Sequence, residues 1–172
     1  MTKVSRRNQG VLCALVAGLL WGLVFIAPLL LPDYPALALS LGRYLAFGLI
    51  ALPLACLDRK RLAKLSRADW LEALKLALVG NLLYYFFLAA AIQTAGAPLA
   101  TVWIATLPLV IAVCANYTDR SLAWRKLLPT LLLITGGLIL VNQDEFSRLG
   151  MANQSRVLYG SCLAIIAVAA WT

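Results

Sequence analysis

The residue types that could do chemistry in this chain lie inside long apolar stretches. Arg43 is the only charged residue well inside one of them, seven residues beyond the start of that stretch at Ala36. At about 1.5 Å per helical residue this is a depth of about 10 Å. An arginine at such depth costs a few kcal/mol, so it usually faces a bundle interior or a wet cavity. The alternative is that it reaches outward toward Asp33 and only sets the depth of the helix.

Polar and aromatic side chains mark two further stretches. Asn81 lies three and four residues before Tyr84 and Tyr85, a spacing that places it with either tyrosine on one helical face. Such groups can line a translocation cavity, or they can join helices at about 0.6 kcal/mol per hydrogen bond. Pro108 removes a backbone hydrogen bond in mid-stretch and predicts a kink. The candidates for a substrate cavity are Trp21, Arg43, Asn81, Tyr84, Tyr85, Thr101, Trp103, Thr106 and Pro108.

Residue types that carry catalysis are missing from the apolar stretches. The chain has no histidine, and its four cysteines lie in apolar surroundings without a CxxC spacing. All seven carboxylates fall between the stretches or at their edges. We therefore predict no enzyme activity, no metal and no cofactor. Proton coupling would need a carboxylate outside this chain; otherwise transport would be facilitative.

The elements that position these residues must be membrane-spanning helices. The chain is 63% hydrophobic and 13% charged, with a mean hydropathy of +0.88. An ordinary globular protein is roughly 45–50% apolar and about 25% charged. Crossing a bilayer takes about 20 apolar helical residues, which predicts an all-α membrane protein. Five apolar runs have about this length, and a sixth begins at residue 157; the five cover residues 11–31, 36–57, 74–92, 98–117 and 127–141.

The distribution of basic residues predicts the orientation. Lys and Arg number three in the N-terminal tail, five after the second run and three after the fourth. The remaining gaps contain none, none and two. Eleven against two places the N-terminus in the cytoplasm of a multi-pass protein of the inner membrane. The formal charge of +8 is therefore an orientation signal, and no nucleic-acid partner is expected.

The sixth run repeats the first. Shifting the sequence by 150 residues aligns small and aromatic positions of the two runs: Gly10, Ala14, Ala17 and Trp21 meet Gly160, Ala164, Ala167 and Trp171. A unit of five spans is odd in number, so a second copy enters the membrane from the opposite face. Inverted repeats of this kind are the architecture of many secondary transporters.

The chain resembles the first half of an EamA-type member of the drug/metabolite transporter superfamily. The resemblance rests on AGLLWGLVF, LGRYLAFGLIALP, APLATVWIATLPLVIAV and TDRSLAWRKLLPTLLLITGGLILV. It implies ten helices in two inverted five-helix repeats around a central cavity, and an exporter of small metabolites or drug-like molecules working by alternating access. In such proteins the arginine at the place of Arg43 is often structural. Where the family usually has a Gly-Glu-Arg-like turn, this chain has Thr118, Asp119 and Arg120.

On this basis residues 1–146 are expected to form the first five-helix repeat. Residues 147–172 would be a loop and a truncated first helix of the second repeat, stopping short of a full crossing. The expected partners are the lipid bilayer, a small-molecule substrate and either the missing repeat or an oligomeric partner. The alternative is a small half-transporter that acts only as an antiparallel homo- or hetero-oligomer. The charge bias argues against the homo-oligomer, because dual-topology proteins need balanced charge.

Overall fold

The computed structural model describes residues 3–119, 123–149 and 154–172. Every regular element in these ranges is helical, which confirms the all-α prediction. Nine α-helices and one π-helical segment, Ala77–Leu83, follow one another. The α-helices are α1 Lys3–Leu30, α2 Ala36–Leu57, α3 Arg59–Leu62, α4 Arg67–Leu76, α5 Tyr84–Ala95, α6 Ala97–Ala105, α7 Leu107–Asp119, α8 Trp124–Leu149 and α9 Gln154–Trp171.

Five helical stretches among the described residues are long and apolar enough to cross a membrane: Asn8–Leu30, Ala36–Leu57, Arg67–Ala95, Ala97–Thr118 and Gln154–Trp171. The predicted span over residues 127–141 lies inside α8. α9 has 18 residues and begins at Gln154, three residues before the predicted start. With its polar first turn included, α9 is long and apolar enough to cross a membrane. The assignment of residues 147–172 to a loop and a truncated second repeat stays a prediction.

Two sequence predictions concern residues that are described only in part. Arg120, the last residue of the predicted turn after the fourth span, lies outside the described residues. The predicted loop from residue 147 begins within the last turn of α8, and residues 150–153 also lie outside the described ranges.

The start of α4 is fixed by its own side chains. Asp69 Oδ2 accepts a hydrogen bond from the Ser66 backbone N–H at 2.8 Å, and Ser66 Oγ accepts one from the Asp69 N–H at 3.2 Å. This reciprocal capping box satisfies two backbone donors at the helix N-terminus. One turn later Lys75 Nζ donates to Glu72 Oε1 at 2.9 Å on the exposed surface.

A π-helical segment interrupts the third span between α4 and α5. Its backbone bonds link residues five apart, and such segments are often found at functional sites. The side chains around it satisfy the altered carbonyls: Ser40 Oγ of α2 donates to Leu82 O at 2.8 Å, and Asn81 Nδ2 donates to Leu76 O at 3.4 Å. Ser40 is completely buried, so this bond ties α2 to the π segment.

α5 is the centre of the packing, with α9 as its main neighbour and α1, α2 and α6 around it. Small residues allow the α5–α9 contact: Ala91 of α5 and Ala164 and Ala167 of α9 are completely buried. Gly160 lies so close to Ala95 that a Cβ at position 160 would overlap the Ala95 methyl. Glycine is therefore required where α9 crosses the end of α5.

The glycine pairs that the sequence suggests for helix contact do not make one. Gly18 and Gly22 have the GxxxG spacing, and Gly136 and Gly137 are adjacent in α8. A Cβ added at any of them would meet no described atom within 4 Å. These four glycines therefore make no close helix contact among the described residues.

Candidate functional site

A cavity of about 360 Å³ opens between α1, α6, α7 and α9. Its volume is within the range of small-molecule sites. We call it the tryptophan cavity, because Trp21 of α1 and Trp171 of α9 both line it. These tryptophans are the two positions that the 150-residue shift brings into register. Two of the other predicted site residues, Thr101 and Pro108, line the same cavity.

The break between α6 and α7 shapes this cavity. Pro108 has no backbone N–H, so the helix is interrupted before it by a tight turn at Thr106. The Thr106 N–H donates to Trp103 O at 3.0 Å, and Thr106 O accepts from the N–H groups of Leu109 and Val110 at 3.0 Å. The predicted kink is confirmed as a break that places Pro108 at the cavity wall.

The hydroxyls of span four are used within the helix. Thr106 Oγ1 donates to Trp103 O at 2.6 Å, and Thr101 Oγ1 donates to Ala97 O at 2.8 Å. Trp103 itself is half-buried and packs against the core. Thr101 therefore presents its methyl group to a solute more readily than its hydroxyl, and the structure does not bring Thr106 or Trp103 to the cavity wall.

A second cavity, of about 470 Å³, lies between α1 and α2 and is also lined by Trp21. We call it the arginine cavity, because Arg43 carries the only charge among the described residues that line it. The Arg43 Cζ atom lies 4.6 Å from the ring centre of Tyr85, 5.1 Å from Phe47 and 5.8 Å from Tyr44. Arg43 thus faces aromatic rings rather than Asp33, and the described residues contain no ion pair between the two.

The two tyrosines of α5 are both buried, with exposed fractions of 5% and 2%. The Tyr84 ring lies 4.9 Å from the Trp171 ring, and the Tyr85 ring lies 6.4 Å from Tyr44 at 82°. They connect the wall of the tryptophan cavity with the aromatic surroundings of Arg43. Asn81 is not brought to them, because its amide bonds back to Leu76 O of its own helix.

Several residues of the two cavities carried no signal in the sequence. Phe25, Ile104 and Leu107 of the tryptophan cavity are apolar residues in apolar helices, and Phe47 under Arg43 is the same. Only the repeat signal could have identified Trp171, which the alignment with Trp21 marked without assigning it to a site.

Residues 8–142 match the EamA-like transporter family, and the chain belongs to this family. It is thus a multi-pass membrane protein of the drug/metabolite transporter type. The chain is 53% identical over 168 residues to Inner membrane protein YtfF of Escherichia coli (strain K12). That match covers 95% of this chain and 52% of YtfF, so the chain spans about half the length of its relative. No solved structure matches the chain.

Proposed function

We propose that this chain forms the N-terminal repeat of a transporter for small metabolites or drug-like molecules, and that the tryptophan cavity binds the solute. The observation that carries the proposal is that Trp21 and Trp171, which the 150-residue shift aligns, line one cavity. Inverted-repeat transporters place their substrate between the repeats. The apolar, aromatic lining favours a solute with an apolar body.

The proposed mechanism is alternating access with net export. Residues 1–146 form one rigid repeat, and α9 begins the second. Rocking of the second repeat against the first moves Trp171 relative to Trp21 and to the broken helix at Pro108, so the cavity opens to one face at a time. Completing the cavity requires further helices, supplied by a continuation of the polypeptide or by a second one. YtfF, with about twice the length, supports this view.

The proposed orientation in the inner membrane has the N-terminus in the cytoplasm, from the eleven-to-two charge bias. Single-cysteine variants of a version without native cysteines test it with a membrane-impermeant maleimide on intact cells. Asp33→Cys is expected to react from outside, and Lys64→Cys only after permeabilisation. The reverse labelling pattern would overturn the orientation.

Binding to the tryptophan cavity is tested on the purified chain in maltoside micelles by ¹⁹F NMR of 4-fluorophenylacetamide, a neutral aromatic probe. Trp21→Ala and Trp171→Ala are each expected to weaken binding several-fold, because an aromatic contact contributes about 0.5–1.5 kcal/mol beyond its buried area. Trp70→Ala is the matched control, since Trp70 is exposed near the start of the third span and is not a lining residue of the tryptophan cavity. Equal effects of all three substitutions would refute the assignment of the site.

The alternative function is a half-transporter that pairs antiparallel with itself or with another chain. The exposed apolar surface of α1 and α2 is compatible with a partner. Disulfide crosslinking in native membranes, between Asp33→Cys in one copy and Lys64→Cys in another, tests it. A crosslinked homodimer would favour antiparallel pairing over a second repeat on the same polypeptide.

A further inference from the structure

We propose that Arg43 is an anion-binding anchor, so that the solute carries a carboxylate or a similar anionic group beside its apolar body. This inference rests on the proposed function, because it assigns a substrate class to the same site. It extends the site from the tryptophan cavity to the arginine cavity on the other side of Trp21.

The first support is the charge balance around Arg43. The guanidinium is permanently protonated, and it lies within a span where a charge needs a partner. The ion pairs formed by the described residues are Asp58–Arg61 and Glu72–Lys75, so none of them neutralises Arg43. Its Nε atom is buried and has no hydrogen-bond partner. A buried donor without an acceptor is costly, and an anionic ligand would supply the acceptor.

The second support is the geometry of the aromatic rings. Tyr85, Phe47 and Tyr44 lie under and beside the guanidinium at 4.6, 5.1 and 5.8 Å. Rings at these distances hold the planar group by cation–π attraction and reduce its freedom. They provide no formal negative charge. The side chain is thereby held in place while its net charge stays uncompensated, which suits bidentate recognition of a carboxylate.

The third support is the position of the arginine cavity. Trp21 lines it together with Arg43 and also lines the tryptophan cavity. A small molecule with its anionic group at Arg43 can therefore place an apolar or aromatic portion against Trp21. A purely structural arginine would need only the aromatic rings and would give no preference for an anion.

The test compares 4-fluorophenylacetate with its neutral isostere 4-fluorophenylacetamide by ¹⁹F NMR on the purified chain in maltoside micelles, which contain no phosphate. The wild-type chain is expected to bind the anion about tenfold more tightly than the amide, as a hydrogen bond to a charged group allows. Arg43→Gln is expected to remove this preference, so that the anion and the amide bind with similar affinity. Lys75→Gln, which removes an exposed positive charge, is the matched control and should keep the preference.

Arg43→Lys keeps the charge and loses the planar fork, so it should retain part of the preference. If Arg43→Gln fails to fold, Arg43→Lys and the comparison of the two probes on the wild-type chain still test whether Arg43 binds the anion. Equal binding of anion and amide by the wild-type chain would overturn the inference while the proposed cavity stands. Failure of both probes to bind would refute the cavity, and the inference with it.

A lipid headgroup is the other source of an anion. Phosphatidylglycerol added to the micelles distinguishes the two, with neutral diacylglycerol as its control. If the solute is the ligand, the preference for fluorophenylacetate should survive addition of phosphatidylglycerol. The inference would be overturned if the wild-type chain lost the preference and retained phosphatidylglycerol while Arg43→Gln did not retain it. Arg43 would then be assigned to lipid binding.

Discussion

Replacing Gly160 by alanine should separate α9 from α5. A Cβ at position 160 would lie closer to the Ala95 methyl than the 3.0 Å that real Cβ atoms keep, and it would also lie 3.3 Å from Leu99 Cδ2. The helices must therefore move apart by at least about 0.5–1 Å to relieve the overlap, and by more than about 1 Å to restore the usual methyl spacing of about 3.5–4.0 Å. The Ala95 methyl is fixed to the backbone and cannot turn away.

The loss of stability follows from the van der Waals contacts between α5 and α9 that weaken when the helices move apart. A gap of about 0.5–1 Å forfeits about a quarter to a half of the dispersion attraction at each contact. Ala164 and Ala167, completely buried in the same interface, would lose part of theirs. We expect Gly160→Ala to lower the free energy of unfolding by about 1–3 kcal/mol, the usual cost of overpacking.

Unfolding by SDS in mixed maltoside micelles, followed by near-ultraviolet circular dichroism, measures this difference. Gly48→Ala is the matched control, since a Cβ there would meet nothing within 4 Å. It should be neutral or stabilising by about 0.5–1 kcal/mol, because alanine favours helix. A Gly160→Ala protein as stable as Gly48→Ala would refute the close α5–α9 packing described here.

Two further substitutions test individual hydrogen bonds by amide hydrogen exchange. Gln93 Nε2 donates to Tyr34 O at 2.8 Å and to Leu31 O at 3.4 Å, so Gln93→Leu should speed exchange over residues 31–35 by a few-fold. Gln9→Leu is the control substitution. Unchanged exchange in Gln93→Leu would contradict the role of Gln93. Ser40→Ala removes the donor to Leu82 O and should cost about 0.6 kcal/mol, with faster exchange in Ala77–Leu83. Thr94→Ala removes only a bond to Ala90 O within its own helix, and an equal effect there would argue against a special role of Ser40.

The fold class could be predicted from the sequence because apolar length alone determines a membrane helix. The capping box at Ser66 and the break before Pro108 were also predictable, since both depend on local chemistry. The packing of α9 against α5 could not be predicted from the sequence. Gly160 differs from Gly18 and Gly22 only in what lies opposite, and a pattern within one helix contains no information about its neighbour.

The candidate site could be predicted in part for the same reason. Polar and aromatic types identified Arg43, Tyr84 and Tyr85, which the structure brings together, but the same rule also selected Asn81 and Thr106. Those two side chains bond to backbone carbonyls of their own helices. Polarity indicates that a side chain needs a partner, and it does not show whether that partner is a solute or the chain itself.

The π-helical segment has a consequence for the length of the third span. Each α-helical residue turns the chain by about 100°, and a π-helical turn holds about one residue more than an α-helical turn. Removing one residue from Ala77–Leu83 and closing the turn as α-helix would therefore keep Tyr84 and Tyr85 close to the faces they share with Trp171 and Arg43. The same deletion within α4 would instead rotate all of α5 by about 100°. Alignments of relatives should therefore accept a single-residue gap in the π-helical segment more readily than elsewhere in the span.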